Sequence, residues 1–320
     1  MNSRLKLLAL IGAIVVGALT ALQSRMNGGL AALTHHGIEA AVVSFGSGFL
    51  ILTVLLIFMP GIRRGLAKIP GAIRSGELKW WQILGGLIGG AFVAVQSTTV
   101  PILGVAVFTV AMVAGQSTNS LIVDRIGLGP AGRQTISGAR VLAAVIAVVA
   151  VAIAVSDRFG TATFSVVAIL AAFIGGLAIA VQQAINGRVG RASGHPLSAT
   201  WLNFAFGVSG LVTTMVILAI SSDFDPVPLP NGPIWLYLGG AVGVVFIGTA
   251  AWAVQIIGVL LFALASIAGQ LAGALILDVI LPTSGSNVGW HLVVGVLLTG
   301  VAVAIAALGP KFRRSARMGT

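Results

Sequence analysis

Residues Gln23–Gly28 read Gln-Ser-Arg-Met-Asn-Gly, and residues Gln182–Gly187 read Gln-Gln-Ala-Ile-Asn-Gly. Both stretches have the form Q-x-x-x-N-G, and 159 positions separate them. The match continues downstream at the same spacing, through the pairs His36 and His195, Ser44 and Asn203, Phe45 and Phe204, and Gly48 and Gly207. Matches that keep one order and one spacing indicate that the chain contains an internal repeat.

A second motif repeats farther along each half. The pattern G-Q-x7-D occurs at Gly115–Asp124 and again at Gly269–Asp278, 154 positions later. The same spacing relates Gly85, Gly86 and Gly89 to Gly239, Gly240 and Gly243. We therefore predict two related units, residues 1–158 and residues 159–320.

The composition identifies lipid as the main solvent of this chain. Hydrophobic residues make up 58% of its 320 residues and charged residues only 8%, whereas soluble domains carry roughly 25% charged residues. The 43 Gly residues suit the close packing of membrane helices. There is no Cys, which excludes disulfides, thiolate metal sites and cysteine nucleophiles.

Ten apolar segments are long enough to form membrane-spanning helices, each of which needs about 20 residues. They are Leu5–Gln23, Glu39–Met59, Trp81–Val100, Ile102–Val123, Ala139–Ser156, Phe164–Gln183, Leu197–Ile220, Ile234–Val254, Ile256–Ile280 and Val288–Leu308. The first resembles a signal peptide, but the repeat pairs it with the internal sixth segment, so we expect it to be retained. The third and fourth segments, and the eighth and ninth, should form tight antiparallel hairpins.

The positive charges predict an orientation in the membrane. If the N-terminus lies in the cytoplasm, 16 of the 18 Lys and Arg residues fall in cytoplasmic segments, and only Arg25 and Arg158 fall outside. The positive-inside rule therefore favours ten helices with both termini in the cytoplasm of a cell with an inner membrane. The net charge of +11 is explained by this orientation, so we expect no nucleic-acid partner.

An odd number of helices in each repeat reverses the direction of the second repeat. The predicted fold is thus an all-α membrane protein with ten transmembrane helices in two inverted five-helix repeats. Inverted repeats recur in secondary transporters, where exchange of the two conformations provides alternating access. Channels and membrane enzymes can also be duplicated, so this architecture favours transport without proving it.

The best substrate-binding candidates are Gln116 and Gln270, which lie near the middle of the fourth and ninth segments. A membrane-embedded amide needs a hydrogen-bond partner, either a neighbouring helix or a ligand. The preceding Gly115 and Gly269 suit either close helix packing or a cavity. No Asp, Glu, Lys or Arg lies clearly at the middle of a segment, so a neutral or weakly polar substrate is favoured.

Gln23 and Gln182 are further substrate-binding candidates, with helix association as the alternative. Secondary candidates are Asn27, Asn186, Gln96, Asn203, Asp124 and Asp278. For Asn27 and Asn186 we favour helix C-capping, because Asn-Gly is a common helix-ending pair. For the two aspartates, an orienting or structural role is favoured over proton coupling.

These motifs resemble those of the drug/metabolite transporter superfamily and, within it, the bacterial inner-membrane exporters of the YdcZ-like group. The resemblance covers roughly residues 7–308, and because group members are often single five-helix units, this chain is similar to a fused tandem form. It implies a substrate path between the halves and export or uptake of small metabolites. Small multidrug exporters of the superfamily use a Glu in their first helix, where this chain has Gln23.

We therefore expect a secondary transporter, specifically an exporter of a small metabolite or drug-like molecule, and not an enzyme. Its expected partners are the substrate and membrane lipid, with a homodimer left open, and we expect no metal and no cofactor. Two alternatives stay open: a membrane enzyme acting on lipid-linked substrates, and a non-transporting assembly or sensor subunit. The 4 His and 7 acidic residues are scattered along the chain, which disfavours the enzyme.

Overall fold

The computed structural model describes residues 3–130, 132–133, 135–158, 165–221 and 231–317, and the regular elements in these ranges are helices. The α-helices are α1 (Ser3–Thr34), α2 (Gly37–Phe58), α3 (Pro60–Arg74), α4 (Gly85–Leu103), α5 (Val105–Ile126), α6 (Gly138–Ala154), α7 (Val166–Ser193), α8 (Pro196–Ser221), α9 (Gly239–Ile280) and α10 (Trp290–Arg317). The predicted all-α class is confirmed for this part of the chain.

Among the described residues, seven helical stretches are long and apolar enough to cross a membrane: Arg4–Thr34, Gly37–Phe58, Trp80–Leu103, Val105–Ile126, Val166–Ser193, Pro196–Ser221 and Phe262–Ile280. Shorter apolar helices are Gly138–Ala154, Ile234–Val245 and Trp290–Ala306. Each of the ten segments predicted from the sequence overlaps one of these stretches. The chain is therefore a multi-pass membrane protein whose described ranges are helical.

The predicted hairpin between the third and fourth segments turns on one residue. Gly104 separates α4 from α5 and has φ 80°, a left-handed value that a residue with a side chain rarely adopts. The last hydrogen bond of α4 runs from Gly104 N to Val100 O at 2.9 Å, and α5 begins at the next residue. Along its length α4 packs mainly against α7 and α8.

A second reversal occurs within α9, whose 42 residues would form a straight rod of about 63 Å at the α-helical rise. At its start, Gly239 O accepts a hydrogen bond from Gln23 Nε2 at 2.7 Å. Just past its end, Leu281 O accepts one from Arg25 Nε at 2.7 Å. Gln23 and Arg25 are two residues apart on α1, so the two ends of α9 lie at one level. The chain must turn back within α9, as the predicted hairpin requires, so α9 consists of a first arm that begins at Gly239 and a second arm that ends at Ile280.

The sequence placed the ends of the first and sixth helices too early. Helices α1 and α7 continue past Asn27 and Asn186, so neither asparagine caps a helix, and this prediction was wrong. The helices end instead at His35 (φ 62°) and Gly194 (φ 68°), which are themselves 159 positions apart. Residues 34 and 193 then donate matching hydroxyl hydrogen bonds, Thr34 Oγ1 to His36 O and Ser193 Oγ to His195 O, both at 3.0 Å.

The amphipathic helix α3 was not predicted. Its buried face consists of Ile62, Gly65, Ile69 and Ala72, which pack mainly against α7 and α8. Ser198 Oγ fixes its start by donating to Ile62 O at 2.9 Å. The exposed face carries basic residues, namely Arg63, Arg64, Lys68 and Arg74. This helix marks what we call the basic end of the molecule.

The opposite end, which we call the aspartate end, lies about 33 Å away along the 22 residues of α5. It contains the α4–α5 turn, the end of α9 and Asp278. The largest buried cluster lies toward this end, where Phe108 of α5 packs with residues of the second arm of α9 such as Leu271 and Ala274. The helix contacts bring α1 against α9 and α7 against α5, and these contacts position the polar residues.

Candidate functional site

Helix α1 carries a buried chain of polar side chains. Asn27, which is 0% exposed, donates from Nδ2 to Gln96 Oε1 at 2.9 Å, and Gln96 Nε2 donates to Ser24 Oγ at 2.8 Å. Asn27 Oδ1 is buried without a hydrogen-bond partner. A buried amide oxygen without a hydrogen-bond partner destabilises the folded protein. An apolar side chain would avoid this cost, so we infer that the amide of Asn27 has a functional role.

Gln23, one turn before Asn27, crosses to the start of α9. Its Nε2 atom donates to Gly239 O at 2.7 Å. A side-chain carbon added at Gly243 would lie 2.9 Å from Gln23 Nε2, so the glycines of α9 leave room for this amide. Gln23 thus ties α1 to α9, which is the helix-association role considered from the sequence.

The equivalent residues of α7 form a smaller amide network with α8. Gln182 Nε2 donates to Asn203 Oδ1 at 2.9 Å, and Asn186 Nδ2 donates to the same oxygen at 3.1 Å. Asn203 occupies the position that Ser44 occupies in the first repeat. Asn203 has a longer side chain than Ser44 and accepts a hydrogen bond from Asn186. Ser44 does not provide such a partner for Asn27.

The two central candidates lie at different helix crossings. Gln116 Nε2 donates to Gln183 Oε1 of α7 at 2.9 Å, where Gln116 is half-buried and Gln183 is exposed. Gln270 is only 9% exposed and lies where α9 crosses α1 beside Gly17. The structure therefore brings Gln116 together with Gln183, and it places Gln270 against α1.

Gly115 and Gly269 mark two of the closest helix contacts. An added side-chain carbon at Gly115 would overlap the backbone oxygen of Phe173, and one at Gly269 would overlap that of Ile14. Phe173 and Ile14 are themselves repeat-equivalent. Of the two roles predicted for these glycines, the contacts favour close helix packing.

The two candidate aspartates have different partners. Asp278, 3% exposed, accepts hydrogen bonds at 2.8 Å from Val105 N, Ala106 N and Ser286 Oγ. Asp124 instead pairs with Arg140 at the start of α6. The orienting role predicted for Asp278 agrees with this geometry, because a carboxylate at the first turn of α5 complements the positive end of the helix dipole.

Two arginines bind the backbone carbonyls that follow the C-terminal ends of α9 and α5. Neither arginine was predicted from the sequence. Arg25 donates to Leu281 O and Pro282 O at the aspartate end. Arg188 donates to Gly127 O and Leu128 O at the basic end, both at 2.7 Å. The accepting residues are repeat-equivalent but the arginines are not, so a position-by-position comparison of the repeats could not reveal them.

Gln183 and Ser24 were also missed as functional residues. They are repeat-equivalent neighbours of Gln182 and Gln23, and each takes part in the hydrogen bonds described above. A polar side chain at the same position of both repeats was the available signal. Within the described ranges, no group of three or more His, Asp or Glu side chains is arranged to hold a metal ion.

A groove of about 360 Å³ lies between α2, α4 and α7. Its lining is mostly apolar: Ile38, Ala94, Val95, Thr98, Thr99, Ile102, Ser165, Val167, Ala168 and Ala171. None of the glutamines predicted to bind substrate is among these residues. The polar groups along this groove are instead the hydroxyls of Thr98, Thr99 and Ser165.

Comparison with known proteins identifies the family of this chain. The family model described as "Putative inner membrane exporter, YdcZ" matches the chain twice, at residues 8–153 and 167–305. A solved structure titled "Crystal structure of protein" is 17% identical, with an alignment covering 96% of this chain and 98% of that one and a TM-score of 0.49. No curated protein matches the chain. The two family matches together cover most of the sequence, and the chain therefore belongs to the YdcZ family of inner-membrane exporters, within the drug/metabolite transporter superfamily, as a tandem form with two family units.

Proposed function

We propose that this protein is a secondary transporter that exports a small, uncharged metabolite or drug-like molecule by alternating access. Its working parts are two inverted repeats of five membrane helices, residues 1–158 and 159–320. The N- and C-termini lie in the cytoplasm, so the basic end faces the cytoplasm and the aspartate end faces outward. The family match to inner-membrane exporters supports the transport class.

The observation that carries this proposal is the reciprocity of contacts between the two repeats. A side-chain carbon added at Gly86 would overlap the backbone around Asn203 and Gly207. One added at Gly240 would overlap the backbone around Ser44 and Gly48, which are the repeat-equivalent residues. Reciprocal contacts of this kind are typical of two-fold symmetry. With five helices in each repeat, such an axis lies in the membrane plane.

The apolar stretches support ten crossings. The seven long stretches and the three shorter ones follow the ten segments predicted from the sequence. Arg63, Arg64, Lys68 and Arg74 of α3, with Arg188 of α7, lie together at one end, as the positive-inside rule requires of a cytoplasmic face. Asp278 and Arg25 lie at the other end.

The proposed substrate path runs between the repeats. Gln116 and Gln270 line its centre, and Gln23 and Gln182 act as polar gates or helix ties. Asn27, Asn186, Gln96 and Asn203 extend the set of amides around these helices. Because these groups are uncharged hydrogen-bonding side chains, the site suits a neutral solute with hydroxyl or amide groups better than an ion.

Transport can be tested with purified protein in liposomes loaded with a metabolite extract of the expression host. Mass spectrometry of the external solution should detect solutes that leave faster than from protein-free liposomes. The double variant Gln116→Leu with Gln270→Leu should abolish this flux, because it removes the central amides. Val145→Leu, on a side chain that is 55% exposed on α6, is the control and should transport normally.

The outcomes separate the two parts of the proposal. If the double variant transports at the wild-type rate, the site assignment is wrong. If no solute leaves faster than from empty liposomes under any gradient, the transporter assignment is wrong, and a non-transporting membrane subunit becomes the better hypothesis.

A further inference from the structure

The segment that follows α9 is bound to the α4–α5 hairpin by a group of hydrogen bonds that we call the aspartate clasp. Besides the bonds of Asp278 to Val105 N and Ala106 N, Gly285 N donates to Pro101 O at 2.9 Å and Ser284 Oγ donates to the same oxygen at 3.0 Å. Asp278 belongs to one repeat and the hairpin to the other. The clasp therefore joins the two repeats at the aspartate end.

The α5 hairpin is shaped for this carboxylate. Gly104 precedes α5, and a side-chain carbon there would lie 2.9 Å from Asp278 Oδ2 and 3.1 Å from Ser286 Oγ. Both carboxylate oxygens are used, Oδ1 by Val105 N and Ser286 Oγ, and Oδ2 by Ala106 N. Charge-assisted bonds to the first turn of a long helix are among the stronger hydrogen bonds in proteins.

In three of four pairs of repeat-equivalent polar residues, the member nearer the aspartate end is the more buried. Ser24 and Asn27 near the aspartate end are 0% exposed, whereas their counterparts Gln183 and Asn186 are exposed and half-buried. Gln270 is buried and its counterpart Gln116 is half-buried. Among these pairs Gln23 and Gln182 are the exception, with Gln182 the more buried.

The two equivalent helical stretches differ even more. All residues from Val105 to Gly115, in the half of α5 near the aspartate end, are buried. The equivalent residues of α9 are 259–269, toward the basic end, and among 262–269 only Ala265 and Gly269 are buried. In a protein with two-fold related repeats, this inequality means that the aspartate end is closed and the basic end is open.

We infer that Asp278 is the positioning residue that holds the aspartate end closed, so that this structure is the state open toward the basic end. The inference rests on the proposed alternating-access function, in which the two ends open in turn. Removing the carboxylate should shift the population toward the state that is open at the aspartate end. The counterpart Asp124 is bound to Arg140 and should not affect this end.

The chain contains no Cys, so a single introduced thiol reports its own accessibility without background. Thr109→Cys places a thiol one turn beyond the clasp, at a residue that is 0% exposed and whose hydroxyl has no hydrogen-bond partner. Ser117→Cys places one at a half-buried residue toward the basic end. Each protein is reconstituted in nanodiscs, where a water-soluble maleimide can reach both faces, and labelling rates are measured.

In the parent background we expect slow labelling at position 109 and fast labelling at position 117. Adding Asp278→Ala should raise the rate at position 109 by about tenfold or more, because it removes charge-assisted hydrogen bonds that favour closure. The rate at position 117 should fall, since opening one end closes the other. Asp278→Asn, which keeps an acceptor oxygen, should have a smaller effect, and Asp124→Ala should leave position 109 slow.

Three results would overturn the inference: an unchanged rate at position 109 in Asp278→Ala, an equal increase in Asp124→Ala, or a parallel rise at positions 109 and 117. The last would indicate general loosening rather than a gate, and a monodisperse size-exclusion profile checks the fold of each variant. No solute is needed, so a failure here is distinguishable from absence of flux in the liposome assay.

Discussion

Phe45 and Phe204 stack on one another with their ring centroids 4.9 Å apart and their planes tilted by 34°. The two residues are repeat-equivalent, 159 positions apart. Each ring also covers the glycine of the other helix: a side-chain carbon at Gly48 would overlap Phe204, and one at Gly207 would overlap Phe45. A residue that contacts its own equivalent lies close to a symmetry axis, so α2 and α8 meet where the two repeats are related.

Phe45→Ala and Phe204→Ala should destabilise the protein by similar amounts. Both rings are 6% exposed and belong to one buried cluster, so each truncation leaves a cavity that costs about 3 kcal/mol or more. The thermal unfolding midpoint in detergent, followed by tryptophan fluorescence, measures the effect. Because the rings touch, the double variant should lose less than the sum of the two single losses.

The control for this prediction is Phe58→Ala, whose ring is 76% exposed. It should shift the midpoint much less than either core variant. A large midpoint change for only one of the two buried rings would contradict the symmetric role that the stacking indicates.

Gly17→Ala and Gly176→Ala should both prevent normal folding. A side-chain carbon at Gly17 would overlap Ser266 O, and one at Gly176 would overlap Met112 O, so the crossing helices must separate. Membrane helices rely on such small residues for association. Each substitution should lower the yield of monodisperse protein several-fold, measured by fluorescence-detected size-exclusion chromatography.

Gly46→Ala is the matched control, because nothing lies within 4 Å of a carbon added there. It should be neutral or raise stability by up to about 1 kcal/mol, since alanine is the better helix former. If Gly46→Ala and Gly17→Ala lowered the yield equally, helix propensity rather than packing would control these positions.

Asn27→Leu should be more harmful than Asn186→Leu. Replacing Asn27 leaves Gln96 Oε1 without its donor at a site with no access to solvent, which costs about 1–3 kcal/mol. Asn186 is half-buried, and Asn203 Oδ1 still accepts from Gln182 after its loss. Thermal midpoints of the two variants test this order, and equal midpoints would contradict it.

The repeat made much of the polar site predictable from the sequence. Each repeated Gln, Asn and Asp predicted a site candidate, and Gln23, Gln182 and Asp278 each make a hydrogen bond to another helix. Their role in substrate binding stays a prediction. The ends of α1 and α7 were misplaced because Asn-Gly ends helices where the backbone can turn into water. Here Gly28 continues the helix, and a side-chain carbon on it would lie 2.7 Å from Val100 Cγ1, so this glycine serves packing.

Other features were beyond a comparison of the repeats. Pro60 suits the first position of helix α3, but Gly65, Pro70 and Gly71 in its interior disfavour a helix that tertiary contacts nevertheless stabilise. Arg25 and Arg188 donate to equivalent carbonyls, but when the two repeats are aligned the arginines lie one helical turn apart. An arginine side chain is long enough to reach the same carbonyls from either of two successive helical turns. An alignment of the two repeats compares equivalent positions only, so it does not reveal such a pair.

The inverted arrangement predicts which residues share a face of the membrane. Single variants Lys79→Cys and Arg314→Cys should both be labelled by an impermeant maleimide in inverted membrane vesicles and protected in intact cells. Asp157→Cys, between the fifth and sixth segments, should show the opposite pattern and is the internal control. With five crossings in each repeat, position 157 is separated from position 79 by three crossings and from position 314 by five. An odd number of crossings places two positions on opposite sides, so positions 79 and 314 share the side that position 157 does not. Labelling of positions 79 and 314 from different sides would mean an odd number of crossings between them, and two inverted five-helix units could not then be the basis of transport.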